Sequence, residues 1–132
     1  MALVIDTRFL LAYTFPPTQR DRKLLYMFFQ SKILRENSVI PSIVVTEYLK
    51  IAGRIIGLTP SEIQVKRFER VGVKIEPILD TDGYVAGKLL LKNPDIPIAD
   101  ALIAAVAQRL RAKVVTDDPH YRVLGVKTIW YK

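Results

Sequence analysis

Residues 98–118 run Ile98-Ala99-Asp100-Ala101-Leu102-Ile103-Ala104-Ala105-Val106-Ala107, continue through Gln108 to Lys113, and close on Val114-Val115-Thr116-Asp117-Asp118. From Ile98 to Ala107 the only polar residue is Asp100, so the helix predicted here, Ile98 to Ala112 after Pro97, is apolar all round and central to its domain. Directly after it comes a short β-branched strand, Val114-Val115, that stops at acids. A matching strand stands near the start, Leu3-Val4-Ile5, closed by Asp6.

The intervening chain alternates in the same way. After Pro16-Pro17, Thr18 with Asp21 three residues on resembles a capping box and opens a helix to about Glu36. Val39-Ile40 is a brief strand, and Ser42 caps a helix from Ile43 to about Ile56 that Gly57 ends. Thr59-Pro60-Ser61-Glu62 combines a cap, a proline at the first helical position and a reciprocal glutamate, predicting a helix to about Val71. Val73 to Ile78 reads as a strand, Asp80 begins a helix to about Lys92, and Thr128 to Tyr131 is a closing strand. Strands alternating with helices, with no hairpin signal, predict a three-layer α/β/α sandwich with a mostly parallel central sheet. No linker or internal repeat divides residues 1–132, so one domain is expected. The spacings Gly53-x-x-x-Gly57 and Gly83-x-x-x-Gly87 read as tight helix packing. In such folds ligands sit outside the carboxyl ends of the strands, which directs attention to the residues after Ile5 and Val115.

Composition narrows the chemistry. Half of the residues are apolar and 25% are charged, which excludes a disordered chain. The absence of cysteine excludes disulfides, thiolate metal sites and cysteine nucleophiles. A single histidine, His120, excludes a two-histidine zinc site and is expected at a rim or in a structural role. The longest uncharged stretches, Ser38 to Thr46 and Ala101 to Gln108, fall short of the ~20 residues of a membrane span. With no secretory signal visible, a cytoplasmic protein is expected. No glycine-rich nucleotide-binding pattern occurs. The net charge of +7 favours a polyanionic partner, nucleic acid above all. Basic residues group at Arg20, Arg22 and Lys23, at Lys66, Arg67 and Arg70, and at Arg109, Arg111 and Lys113, any of which could track a phosphate backbone.

Each acid of interest also has a local explanation. Asp6, Asp117 and Asp118 could simply start turns, Asp100 could cap a helix beginning at Ala101, and Glu47 could pair with Lys50 three residues on. As a set they mean more. Two unit charges ~4 Å apart repel by about 4 kcal/mol at an effective dielectric of about 20. Carboxylates gathered at one sheet edge therefore persist only if protonated or neutralised by a cation. Oxygen donors select hard Mg²⁺ or Mn²⁺, and metal-assisted phosphodiester cleavage suits a basic protein.

Four segments carry a family likeness: Val4-Ile5-Asp6-Thr7, Pro41-Ser42-Ile43-Val44-Val45-Thr46-Glu47, Ile98-Ala99-Asp100-Ala101-Leu102-Ile103-Ala104-Ala105, and Val114-Val115-Thr116-Asp117-Asp118-Pro119-His120-Tyr121. In this order, over nearly the whole chain, they resemble the PIN-domain nucleases. The resemblance implies a Rossmann-like sandwich and Mg²⁺- or Mn²⁺-dependent cleavage of single-stranded RNA, often as the VapC-type toxin of a toxin–antitoxin pair. It also implies a small antitoxin that plugs the acidic cleft. By the same likeness Asp6, Glu47 and Asp100 match the first three acids of the site. The fourth acid of the Thr-x-Asp segment falls on Asp118, with Asp117 auxiliary. Thr7 and Thr116 could orient carboxylates or hold water.

One position departs from the family pattern. Two residues after the first aspartate, where a small polar residue is usual, stands Arg8. Its guanidinium could grip a substrate phosphate, or pair with Asp6 and weaken metal binding. The second outcome would leave a catalytically silent RNA-binding or scaffold subunit. Finally, Ile51, Ile55, Ile56, Ile63 and Phe68 exceed what one small core needs, so a homodimer is expected.

Overall fold

The computed structural model describes residues 1–132, and its central element is strand β1, Ala2–Ile5. Leu3, Val4 and Ile5 are all buried although they point alternately to the two faces, so both faces of the strand are covered. After β1 follow α1 (Thr7–Thr14), α2 (Gln19–Phe28), which runs on through a π-helical turn (Phe29–Ile33), and β2 (Asn37–Pro41). Then come α3 (Ser42–Ile56), α4 (Leu58–Arg70), β3 (Lys74–Glu76), α5 (Asp80–Lys92), α6 (Ile98–Leu110), β4 (Lys113–Val115), α7 (His120–Val123) and β5 (Thr128–Ile129). The sheet has the order β3-β2-β1-β4-β5 with every pair parallel, and Val4 lies between Val39 and Val114. The chain therefore builds outward on one side of β1, then returns to build on the other.

The helices fall into two sets. α1 packs on α2 and α3, and α3 on α4, whereas α5 pairs with α6, which also covers β1 and β4. With the right-handed crossovers that parallel strands adopt, the reversal of building direction at β1 puts these sets on opposite faces of the sheet, giving the expected three layers. α6 buries Ala101 and the whole run from Ile103 to Ala107, as its apolar circumference demands.

Several boundaries differ from the sequence expectation. α1 was not foreseen; Phe9 and Leu10 bury it against the core, and no start signal precedes it beyond Asp6. Thr18 does cap α2, accepting the N–H of Asp21, but the α-helix gives way to the π-turn well before Glu36. Ser42 is the first residue of α3 rather than its cap, and its side chain makes no cap bond. Thr59 is not a cap either. Gly57, at φ 91°, passes the chain straight from α3 into α4, and the Ser61 hydroxyl donates to the Gly57 carbonyl at 2.7 Å. α6 ends two residues before Ala112, where Arg111 takes the left-handed conformation at φ 53°. β3 and β5, at the two edges of the sheet, are shorter than expected. The glycine spacings do not mark tight packing: a Cβ on Gly53, Gly83 or Gly87 would meet nothing within 4 Å. Ile51, Ile55, Ile56 and Ile63 are 38–62% exposed, but Phe68 belongs to the core, edge-on to Tyr13 and Phe29. No helix is long and apolar enough to cross a membrane.

One ion network ties the second helix layer to the sheet. Arg109 on α6 donates from Nε and Nη2 to the two carboxylate oxygens of buried Asp82, both at 3.0 Å, and from Nη1 to Glu76 at 2.9 Å. Asp82 also accepts the Leu79 N–H at 2.9 Å, satisfying the start of α5. Arg109 is thus committed inside the fold and withdrawn from the basic group to which the sequence assigned it. Replacing it strands a buried carboxylate, so Arg109→Met should cost about 3 kcal/mol in urea denaturation. Adding Asp82→Asn to that variant should return part of the loss.

Candidate metal centre at the carboxyl end of the sheet

β1 and β4 are neighbours, so the residues that end them meet. The Asp6 N–H donates to the Val115 carbonyl at 3.3 Å. Thr116 Oγ1 donates to Asp6 Oδ2 at 2.7 Å, and the Tyr121 hydroxyl donates to Asp6 Oδ1 at 3.2 Å. Asp6 is 3% exposed. Burial pushes its pKa up to about 6, the negative charge of Asp100 adds to the rise, and the Thr116 and Tyr121 hydroxyls oppose it.

Asp100 arrives from α6. The helix starts at Ile98 behind Pro97, so Asp100 lies within the first turn and is not the cap of a helix starting at Ala101. Its Oδ2 faces His120 Nδ1 at 2.9 Å. Burial raises the Asp100 pKa, helped by the charge of Asp118 and moderated by His120. The loop after β4 supplies the rest. Thr116 Oγ1 accepts the Asp118 N–H at 3.0 Å, and Asp118 Oδ1 accepts the His120 N–H at 2.9 Å, which starts the turn into α7. Asp118 therefore does begin a turn, while the same carboxylate oxygen lies 3.3 Å from His120 Nδ1. One ligand atom each from Asp100, Asp118 and His120 lie within 4.8 Å of one another. The hydrogen bond to Asp100 raises the His120 pKa.

Glu47 sits outside that group of three but next to it in the fold. Its Oε1 accepts the Thr7 hydroxyl at 2.8 Å, directly after Asp6 in the chain, and it forms no ion pair with Lys50. Asp117 turns the other way. Its carboxylate accepts Arg8 Nε at the exposed rim, and the guanidinium holds its pKa below the usual carboxylate range. Arg8 is therefore not on Asp6, the contact that would have made a silent site.

Two residues of this site escaped the sequence reading. His120 stands inside the cluster rather than apart from it. The signal for it was the turn: an aspartate that accepts the N–H two residues on draws that residue's side chain back over its own carboxylate. Tyr121, fully buried under Asp6, carried no local signal.

The donor set suits a hard divalent cation. No lysine or arginine contacts Asp6, Asp100 or Asp118, and His120 is the one basic group among them. The raised pKa values of buried Asp6 and half-buried Asp100 mark negative charge that the protein itself leaves largely uncompensated. Carboxylate oxygens are ligands for a hard divalent cation, and the imidazole of His120 stands among them as a further candidate donor.

The fold has close counterparts among solved structures. It is similar to FitAcB from Neisseria gonorrhoeae, with a TM-score of 0.73, 17% identity and 96% of each chain covered. VapBC2 from Rickettsia felis, bound to a DNA fragment from its promoter, gives a TM-score of 0.75 at 17% identity with both chains covered completely. VapC20 from Mycobacterium tuberculosis, a sarcin-ricin loop cleaving toxin, gives 0.77 at 16% identity, covering 94% of this chain and 95% of that one. At such identities the likeness is one of fold. No functionally curated protein matches the sequence. The sequence model of the PIN domain matches residues 3–127, a span that contains all four of the likeness-bearing segments, and the chain belongs to the PIN-domain family.

Proposed function

We propose that this protein is a metal-dependent endoribonuclease that cleaves phosphodiester bonds of single-stranded RNA in the cytoplasm, as the toxin of a toxin–antitoxin pair. One observation carries the reading: Asp6, Asp100 and Asp118 converge where the chain reverses its direction of building, between β1 and β4, with no lysine or arginine upon them. Membership of the PIN-domain family supports it, as does the fold shared with VapC20, a toxin that cleaves the sarcin-ricin loop.

In this reading Asp6, Asp100 and Asp118 hold Mg²⁺ or Mn²⁺, with Glu47 completing the set. When bound, such an ion activates water and offsets charge on the phosphoryl group. The chain's own side chains prepare the site beforehand. Thr116 and Tyr121 fix both oxygens of Asp6, Thr7 fixes Glu47, and His120 sets the carboxylate of Asp100. Arg8 keeps its Nη groups free at the rim, where they bind a substrate phosphate. The partners are RNA, a small antitoxin and a second copy of the chain. The toxin VapC20 shares the fold, which supports an antitoxin partner, and the exposed Ile51, Ile55, Ile56 and Ile63 offer an apolar face for the twin subunit. The reading as a silent subunit required Arg8 on the cluster, and Arg8 is on Asp117.

Cleavage of a single-stranded RNA should need Mg²⁺ or Mn²⁺ and stop with a chelator. Asp100→Asn should lower the rate by at least about a hundredfold with the fold retained, as read by circular dichroism. A variant that still cut at the wild-type rate would remove Asp100 from the site.

The raised pKa of Asp6 fixes a pH dependence. Below about pH 4 the carboxyl is protonated in both folded and unfolded chains. Between about pH 4 and 6 the unfolded chain releases the proton first, so the metal-free protein loses stability as pH rises, by at most about 3 kcal/mol, and keeps that loss above pH 6. Asp6→Asn should therefore stabilise the chelator-treated protein at pH 7.5 and not at pH 4. Metal affinity of the wild type should fall as pH drops through 6. Sedimentation at micromolar concentration should give twice the 15.0 kDa of one chain; a clean monomer would remove the dimer.

A further inference from the structure

Arg8 and Asp117 form an ion pair that stability does not explain. The side chains are 54% and 41% exposed, and exposed pairs contribute little to folding. The pair lies at a sensitive place, because Arg8 is two residues from Asp6 and Asp117 is the residue before Asp118. Beyond Asp117, the anions whose charge the guanidinium feels are Asp118 and Asp6. An arginine set free at this point thus has the carboxylates of the metal site as its next partners. Its charge is permanent, and its planar fork of N–H donors matches a carboxylate well. Settled there, it would occupy lone pairs that a cation needs and repel the cation as well.

We infer that Asp117 is a positioning residue, which tethers Arg8 at the rim and thereby keeps the guanidinium off Asp6 and Asp118. The tether runs through Nε only, so the two Nη groups carry no hydrogen bond to the protein. Asp117 is not itself a ligand in this account. Its carboxylate is turned to Arg8 and stands outside the group formed by Asp100, Asp118 and His120. The inference rests on the metal-site reading above, and its test separates the two.

The test is calorimetric titration of Mn²⁺ alone into the purified full chain as wild type, Asp117→Asn, Arg8→Gln and the double variant, with no RNA present. Asp117→Asn should bind Mn²⁺ about tenfold more weakly than wild type, because the freed arginine competes for the same oxygens. Arg8→Gln should bind at least as tightly as wild type. The double variant should regain wild-type affinity, since the competitor is gone. A ligand role for Asp117 would instead leave the double variant as weak as Asp117→Asn. Equal affinity of wild type and Asp117→Asn, or failure of the double variant to recover, overturns the inference while the metal site stands. Absence of Mn²⁺ binding in the wild type overturns both.

Discussion

The parallel pairing of β1 with β4 brings together two strand ends that lie 110 residues apart in sequence, joined there by the hydrogen bond from Thr116 to Asp6. Everything proposed about the site depends on this contact. A carboxylate at the end of the central strand is buried because both faces and both neighbours of that strand are covered, and burial makes its charge costly. The surrounding side chains lower that cost only in part: two hydroxyls donate to Asp6, while Asp100 brings further negative charge. The fold thus creates a demand for positive charge at one point and supplies little of its own.

Where the protein does place its positive charge is instructive. Arg109 is spent within the fold, forking onto Asp82 and Glu76. Lys132 is held by Asp21, which also receives the Thr18 and Tyr131 hydroxyls, and these hydrogen bonds hold its pKa down at about 2. Arg8 is held by Asp117. Each of these cations has a carboxylate of its own, so none of the three neutralises Asp6, Asp100 or Asp118. Such an arrangement leaves the carboxylates open to a small cation.

Local chemistry explains which parts of this were legible in the sequence. The strands at Leu3-Val4-Ile5 and Val114-Val115 are β-branched or apolar runs cut off by acids, and Thr18, Gly57 and Pro97 mark helix ends through their own backbone preferences. α1 lacked any such mark, because Thr7–Thr14 is helical by virtue of what Phe9 and Leu10 bury against. Capping was the least reliable guide: Ser42 and Thr59 have the right chemistry, but Pro41 and Gly57 take the cap positions. The acids show the same division. For Asp100, cap and cluster member look alike in sequence, and only the start of α6 at Ile98 separates them. Asp117 and Asp118 are adjacent and chemically identical, yet one faces Arg8 and the other His120, a difference set by the turn and by a residue more than a hundred positions away.

The strand order has a consequence for how the molecule comes into being. β1 pairs first with β2, from the adjoining part of the chain, and its other edge waits for β4 at Lys113–Val115. A ribosome releases the chain from its N-terminal side, so the segment through α5 can collapse while Asp100 and Asp118 are still to emerge. During that interval β1 has an open edge, Asp6 lacks the Thr116 hydroxyl, and no cluster exists to bind an ion. Topology therefore defers the acidic cluster: the site is assembled only when β4 docks beside β1, after nearly all of the chain has been made.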